Sequence, residues 1–587
     1  MMEFWISFEK WFVLISIALL LGLLIMNIVP AALAFFILAS VFLIFNIVSV
    51  PEFLSTFSNS ALITLVLLLL CSLAVEKSVF IQYLSRKIIS DNEKISFFRL
   101  TFITSILSAF INNTAVVASF LGVVSRQTTI APSRLLIPLS YASIFGGITT
   151  LIGTSTNLVV NSFVTKAGLP PLGMFTFTGV GMLVAGLSLA ALYFKRNSLP
   201  YNPPQSTDES DNYFLTVRVE AESDLIGKTV RSSKLGELDG LYLLEIVRAD
   251  RLISPVSRRE VILAGDQIVF TGSVENVHLL QPFQNITLLG GDSASQLLKS
   301  NLVEVIISNE SELLYTTLEA VNFNERFSAS VVGIRRGNKR LTGYLNRIPL
   351  RTGDALLLAV SDNFFHLRSN ETNFHLLDKP HQNSQRILSV KKSVFVTLAF
   401  LLVIILSAFE LVPLFKGLIV LLGALLAGDC LRLSDLRWRF PFDLIFVIGS
   451  ALVLSIGLEN SGAAAMIGQA MMRILPENNA YLSFVVIFLM TVMMTEIITN
   501  NAAAALSMPL ALQTAESLQV SYLPFVVGIC FAASACFMIP FGYQTHLMVY
   551  TPGRYTVKNY LRTGWAVSLA YMLAALVLIP IFFPFHS

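Results

Sequence analysis

The sequence predicts a polytopic α-helical membrane protein of two inverted repeats, each with a re-entrant hairpin and a broken helix, joined by a cytosolic α+β insert. Three observations carry this expectation. Charge is uneven: residues 201–390 hold 42 of the 77 Asp, Glu, Lys and Arg side chains. That middle stretch has nearly the charge content of a soluble domain, about one residue in four, whereas the flanks are too apolar to dissolve. Each flank divides into apolar runs long enough to span a bilayer, about 20 residues apiece. Each flank also carries an Asn/Thr cluster deep in an apolar stretch, followed about forty residues later by a glycine-interrupted segment, and paired interruptions of this kind point to a binding site. This pattern excludes a secreted globular enzyme, a disordered chain and a coiled coil.

The first repeat is assigned to residues 1–199, with runs at 11–29, 31–49, 57–76, 98–125, 134–165 and 172–194. Ala32-Leu33-Ala34 mimics a signal-peptide cleavage site, but the second apolar run follows at once, so two spanning helices joined at Pro30 are expected. The second repeat is assigned to 391–587, with runs at 393–412, 415–432, 443–458, 481–512, 522–555 and 563–584. Glu76-Lys77-Ser78 ends the third run of one half and Glu459-Asn460-Ser461 the third run of the other. Asn112 aligned with Asn500, and Gly153 with Gly542, give nearly equal spacings in the two halves.

Basic residues set the orientation. They cluster at Arg86, Lys87, Lys94 and Arg99, at Arg126 and Arg134, and at Lys195 and Arg196. The second half repeats this at Lys391 and Lys392, at Arg432, Arg437 and Arg439, and at Arg554, Lys558 and Arg562. All of them fall in the cytoplasm only if 98–125 and 481–512 enter the membrane and return on the same side. Both termini are then outside the cell (inner) membrane, residues 200–390 are cytoplasmic, and the halves are inverted.

The insert divides into two units, 200–290 and 291–390. After the linker Pro203-Pro204-Gln205-Ser206 come SDLIGKTV, LLEIVRAD and LAGDQIVFTG; after Gly290-Gly291 come SELLYTTL, VVGIRRGN and LRTGDALLLAV. Each unit reads as a strand, a helix and several strands, with turns at Gly265-Asp266 and Gly353-Asp354 anchoring the repeat.

Asn112, Asn113 and Thr114 offer oxygens to a cation and amide hydrogens to an anion. Thr154, Ser155, Thr156 and Asn157 in the first break add hydroxyls and carbonyls, and Thr499, Asn500 and Asn501 repeat the chemistry in the second half. Hard oxygens without a carboxylate suit a weakly held monovalent ion better than Ca²⁺ or Mg²⁺. Such residues also bridge packed helices, but two clusters at matching places favour a site. Asn113 and Asn501 are expected to be central, with Thr114, Thr156, Asn157, Thr499 and Thr545 next to them. Glu496 is either a proton or cation site or a carboxyl that is paired inside the bundle or lies near an aqueous edge. His546 stands where the first half has Asn157, as a pH-sensitive group or a neutral substitute for an amide.

No Arg or Lys falls at either tip, so an anion would be held by dipoles, amides and co-bound cations. Cys71, Cys430, Cys530 and Cys536 lie in apolar stretches without CxxC spacing and read as buried thiols. The thin net charge of +3 gives no nucleic-acid partner. Enzyme signatures such as GxSxG, HExxH and the P-loop are absent, so no enzyme and no organic cofactor is expected.

Asn112-Asn113-Thr114-Ala115 with GTSTNL (153–158), and Asn500-Asn501-Ala502-Ala503 with GYQTHLMVY (542–550), resemble the hairpin tips and broken helices of the divalent anion:sodium symporter family. The resemblance covers both membrane halves. Residues 213–368 resemble two TrkA-C (RCK C-terminal) domains, a combination similar to the sulfate-permease branch. The resemblance implies a homodimeric, elevator-type transporter. One Na⁺ would lie at Asn113, Thr114, Gly153, Thr154, Thr156 and Asn157, and a second at Thr499, Asn501, Gly542, Gln544 and His546. A small divalent anion would lie between the tips, at Asn112, Asn113, Thr114, Asn500, Asn501 and Thr545. The TrkA-C pair implies regulation by a small cytosolic ligand. Asn112 and Asn500 stand for Ser, and Ala502 for Thr, which favours a compact oxyanion such as sulfate over a dicarboxylate. H⁺ is the alternative coupling ion. The alternative functions are a TrkA-C-gated monovalent cation transporter or channel, which would lack a TVGYG-like filter, and a membrane-anchored ligand sensor.

Overall fold

In the computed structural model the first half begins with α1 (Met2–Met26), α2 (Ala31–Ile44), α3 (Val50–Phe57), α4 (Ser60–Glu76) and α5 (Val79–Ile88). The structure describes residues 2–26, 29–125, 127, 129–202, most of 214–376 apart from 273–279, 290–301 and scattered loop positions, 388–438, 440–463, 466 and 479–586. The Pro203–Ser206 linker, the Gly290-Gly291 junction, Arg126 and Arg439 therefore lie outside the described residues. The short helix α3 is an element that hydropathy alone merges into its neighbour. Ser49 accepts from Glu52 N–H while the Glu52 carboxylate takes Ser49 N–H, a capping box that starts it, and Asn59 then caps α4.

The stretch 98–125 divides into α6 (Glu93–Ser108) and α7 (Asn113–Ser125), and the next run into α8 (Leu136–Gly147) and α9 (Ser155–Lys166), followed by α10 (Thr178–Lys195). Beyond the insert, whose one described α-helix is α11 (Phe323–Phe327), come α12 (Val390–Ala408), α13 (Leu414–Ala427), α14 (Leu433–Trp438) and α15 (Phe442–Asn460). The stretch 481–512 divides into α16 (Ala480–Ile497) and α17 (Asn500–Ser517). The second broken pair is α18 (Leu523–Ala532) and α19 (Gln544–Tyr550), and α20 (Val557–Phe582) completes the half. Six helical stretches among the described residues are long and apolar enough to cross a membrane.

Two helix groups emerge from the packing. In one, α2 lies on α15, and α13 lies on both α4 and α12. In the other, α6 lies on α8, α10 on α20, and α16 on both α17 and α18. Helices α9 and α17 run between the groups, α9 touching α4 and α17 touching α15.

The insert holds two five-stranded antiparallel sheets. The first contains β1 (Phe214–Val219), β2 (Leu241–Arg248), β3 (Arg251–Ile253), β4 (Gln267–Gly272) and β5 (Ile286–Leu289), in the order β3-β2-β4-β1-β5. The second contains β6 (Leu302–Ile307), β7 (Ala329–Arg336), β8 (Lys339–Leu341), β9 (Ala355–Val360) and β10 (Phe374–Leu376), in the equivalent order read from its other edge. A register break between Leu243 and Glu245 recurs between Val331 and Gly333. Arg248 donates from Nε and Nη2 to both oxygens of Asp266 at 2.8 and 2.9 Å; Arg336 does the same to Asp354 at 2.7 Å for each bond. Both aspartates are fully buried, so each needs this bidentate partner. The hydrogen bonds raise both guanidinium pKa values, which keeps the pairs charged.

The second unit is docked on the membrane helices. Gly337 N–H donates to Thr551 Oγ1 at 3.2 Å, and the Thr551 hydroxyl donates to Gly353 O at 2.5 Å. Ile306 of β6 joins the main membrane core, and Gly353 abuts Leu547 of α19. Its first-unit counterpart, Gly265, faces open space. Where the chain leaves α10, Asn202 donates to Gly553 O and Arg554 O, so the same end of α19 is pinned twice.

Candidate functional site

The helix breaks exist because α7, α9, α17 and α19 all start at polar residues amid apolar sequence. Helix starts leave backbone N–H groups without intrahelical partners. Asn112 answers this for α7, its Oδ1 accepting Thr114 N–H at 2.9 Å. Thr154 and Tyr543, both extended, precede α9 and α19. The tip of each hairpin meets its break through a glycine. A Cβ on Gly153 would lie 2.9 Å from Ser108 O, and one on Gly542 would lie 2.6 Å from Thr495 O.

These contacts define the correspondence between the halves. Ser108 Oγ bonds the Asn113 amide at 2.5 Å, and Thr495 Oγ1 donates to Asn500 Oδ1 at 3.1 Å, each five residues along the chain. Asn113 and Asn500 are also the first residues of α7 and α17. The pairing expected from spacing, Asn112 with Asn500, is therefore corrected by one residue. Asn113 matches Asn500, and Thr114 matches Asn501.

The tips also reach across to the opposite half. Thr114 Oγ1 donates to Gln544 Oε1 at 3.1 Å; Asn501 Oδ1 accepts from Ser155 Oγ at 3.1 Å and Thr156 Oγ1 at 3.4 Å. Each tip thus touches the opening residue of the other half's broken helix. Asn113, Thr154, Thr156, Asn157, Thr545 and His546 are buried, Asn112, Thr114, Asn500 and Asn501 are half-buried, and Thr499 and Gln544 are exposed.

The two ends of the Asn113 amide face different chemistry. One lies 2.5 Å from Ser108 Oγ, 3.0 Å from Ser143 O and 3.2 Å from Gly153 O; the other lies 2.6 Å from Tyr543 Oη. With nitrogen on the first end, the amide donates to those oxygens and accepts the Tyr543 proton. With oxygen there, it faces two carbonyls that have no hydrogen to offer, an arrangement that a cation resolves. Nearby, Asn157 Nδ2 donates to Thr150 O, while Asn157 Oδ1 is buried without a hydrogen-bond partner. A buried orphan acceptor needs an ion, a water or a strain account.

His546 is differently placed from Asn157. Its Nε2 lies 2.6 Å from Cys536 O, and its Nδ1 lies 2.7 Å from Ser140 Oγ, which in turn lies 2.8 Å from the Thr545 hydroxyl. A carbonyl only accepts, so Nε2 carries the proton and Nδ1 takes Ser140's. Both ring nitrogens are engaged with protein, as a neutral hydrogen-bonding imidazole would be. Glu496 is a cap for the second break: Oε1 accepts Phe537 and Met538 N–H, and Oε2 accepts Ile539 N–H and the Cys536 thiol.

Residues 21–532 match the CitMHS family, described as citrate transporter. The chain belongs to the citrate transporter family. It is thus a multi-pass membrane transporter and not an enzyme. It is 30% identical to the uncharacterized transporter sll0640 of Synechocystis, over 92% of each chain. It is 26% identical to the putative sulfur deprivation response regulator of Chlamydomonas reinhardtii, over 95% of this chain and 98% of the relative. The sodium/sulfate cotransporter 1 of the same alga is 26% identical over 62% of this chain and 42% of its own length.

Within this family member the sequence reading misses Tyr543, Ser108, Ser140 and Ser143. Tyr543 sits inside the GYQTH segment, yet an aromatic among apolar residues reads as packing. The serines lie in the apolar arms beside the hairpin tip and the first break, outside the polar clusters that the sequence marks. The five-residue hydroxyl-to-amide spacing, Ser108 to Asn113 and Thr495 to Asn500, is the signal that could have found the first of them.

Proposed function

We propose that the chain is a Na⁺-coupled symporter of a small divalent oxyanion, with sulfate the best-fitting substrate. The observation that carries this reading is the Asn113 amide end set among Ser108 Oγ, Ser143 O and Gly153 O. Hard oxygens without a carboxylate suit a desolvated Na⁺, and Asn157 Oδ1 is a further donor within the same break. Asn500, Thr495 and the Gly542 turn form the corresponding, looser set in the second half. The anion then lies between the tips, near Thr114, Asn501 and the starts of α9 and α19, where helix N-termini favour negative charge. No Lys or Arg stands at either tip, so the anion's binding depends on the bound cation. The names of the sodium/sulfate relatives support this substrate class.

The reading includes inverted halves, with the insert in the cytoplasm. The group containing α6, α8, α10, α16, α18 and α20 moves as an elevator against the group containing α2, α4, α12, α13 and α15 in a homodimer. The two insert units act as TrkA-C domains that bind a small cytosolic ligand.

The test is radiolabelled sulfate uptake into proteoliposomes. Uptake is expected to need an inward Na⁺ gradient and to fall at least tenfold in Asn113→Ala and Asn500→Ala. Rb⁺ flux without anion, sulfate uptake indifferent to Na⁺, or normal uptake by both variants would overturn it.

A further inference from the structure

Gly153 and Gly542 hold matching places in the two breaks, and the residue after each immediately precedes the broken helix. There the first half has Thr154 and the second has Tyr543, both extended. A phenol reaches several ångströms further than a threonine hydroxyl. The Tyr543 hydroxyl crosses to the other half, where it meets the Asn113 amide at 2.6 Å and has Thr154 as a second hydrogen-bonding partner. The ring is buried and lies against His546, whose two nitrogens are both tied, so it has a fixed backing. One aromatic side chain therefore spans the space between the two breaks.

We infer that Tyr543 determines which anion this transporter accepts, and that its hydroxyl is an anion-binding donor released by the bound cation. The inference rests on the symport reading above and names the substrate class for that same site. The argument is an accounting of one proton. Without a cation, Asn113 turns its nitrogen to Ser143 O and Gly153 O, and its oxygen accepts the Tyr543 proton. With a cation among those oxygens, the Asn113 oxygen faces the ion and its nitrogen donates to Tyr543 Oη. The phenol proton then has no acceptor on Asn113, and the anion competes for it with the Thr154 hydroxyl alone. A hydroxyl donating to a charged acceptor makes one of the stronger neutral-donor hydrogen bonds.

Shape follows from the same side chain. A linear dicarboxylate needs an open path so that one carboxylate can sit at each tip. The Tyr543 side chain crosses from the second break to Asn113 and Thr154 and so narrows the room between the halves, whereas a tetrahedral oxyanion needs only one centre beside the hydroxyl. A threonine at 543 would make the second break like the first and open the path.

Proteoliposome uptake of sulfate and succinate, with and without a Na⁺ gradient, tests this in the full chain. The wild type is expected to take up sulfate and to be inhibited weakly by succinate. Tyr543→Phe keeps the ring and is expected to raise the KM for sulfate about tenfold while leaving the KM for Na⁺ within about twofold. Tyr543→Thr is expected to shift the succinate-to-sulfate uptake ratio at least tenfold towards succinate. A wild type that takes succinate as readily as sulfate, or a ratio unchanged in Tyr543→Thr together with an unchanged sulfate KM in Tyr543→Phe, overturns the inference and leaves the symport reading standing. A wild type that moves neither anion overturns the symport reading itself. If Tyr543→Thr does not reach the membrane, the Tyr543→Phe kinetics alone decide.

Discussion

Glu496 and Asn113 show how differently two polar side chains serve in apolar surroundings. The Glu496 carboxylate has four donors, three of them consecutive backbone N–H groups of the second break. All four donors converge on the one carboxyl, which ties the end of α16 to the second break. Glu496→Ala is expected to strand those N–H groups and cost about 1–3 kcal/mol or more. Thermal unfolding of the detergent-solubilised protein should show a lower midpoint, and uptake should fall in parallel. A variant with unchanged stability but an altered pH profile of uptake would instead make Glu496 a proton carrier. The sequence left that choice open, because four-fold satisfaction by distant backbone is invisible before the chain is folded. That Asn113 stands at a buried helix start was legible, since an amide inside an apolar stretch marks a place where a helix breaks. Its partner in the second half was read one residue too far along. Spacing alone does not distinguish Asn500 from Asn501; the Thr495 hydrogen bond does.

Among elements, the hairpins and breaks were readable because polar residues and glycines cluster where the helices stop. The short helices α3, α5 and α14 were not, since their signals are caps and local contacts within runs that hydropathy smooths over. The two insert sheets were legible from their shared GD turns, but the asymmetry in their use was not. Gly353 abuts α19 whereas Gly265 faces open space, although both have positive φ. Alanine at either position meets the backbone penalty of the left-handed region, about 1 kcal/mol. Gly353→Ala is expected to disturb docking as well, because its Cβ would lie 3.1 Å from Leu547 O. Limited proteolysis of the full chain should therefore cut the second unit several-fold faster in Gly353→Ala than in wild type, and leave Gly265→Ala close to wild type. Equal sensitivity of the two variants would mean that the contact does not hold the unit in place.

For the whole molecule, the contacts that matter most run between distant parts of the chain. Asn113 meets Tyr543, Thr114 meets Gln544, and Asn501 meets Ser155. Neither half completes its own polar centre; each supplies what the other lacks. Continuity of the polypeptide through the insert is then a convenience of synthesis more than a requirement of assembly. Two separately encoded pieces, 1–290 and 291–587, should find each other in one cell and co-purify through an affinity tag on either, while each alone is degraded.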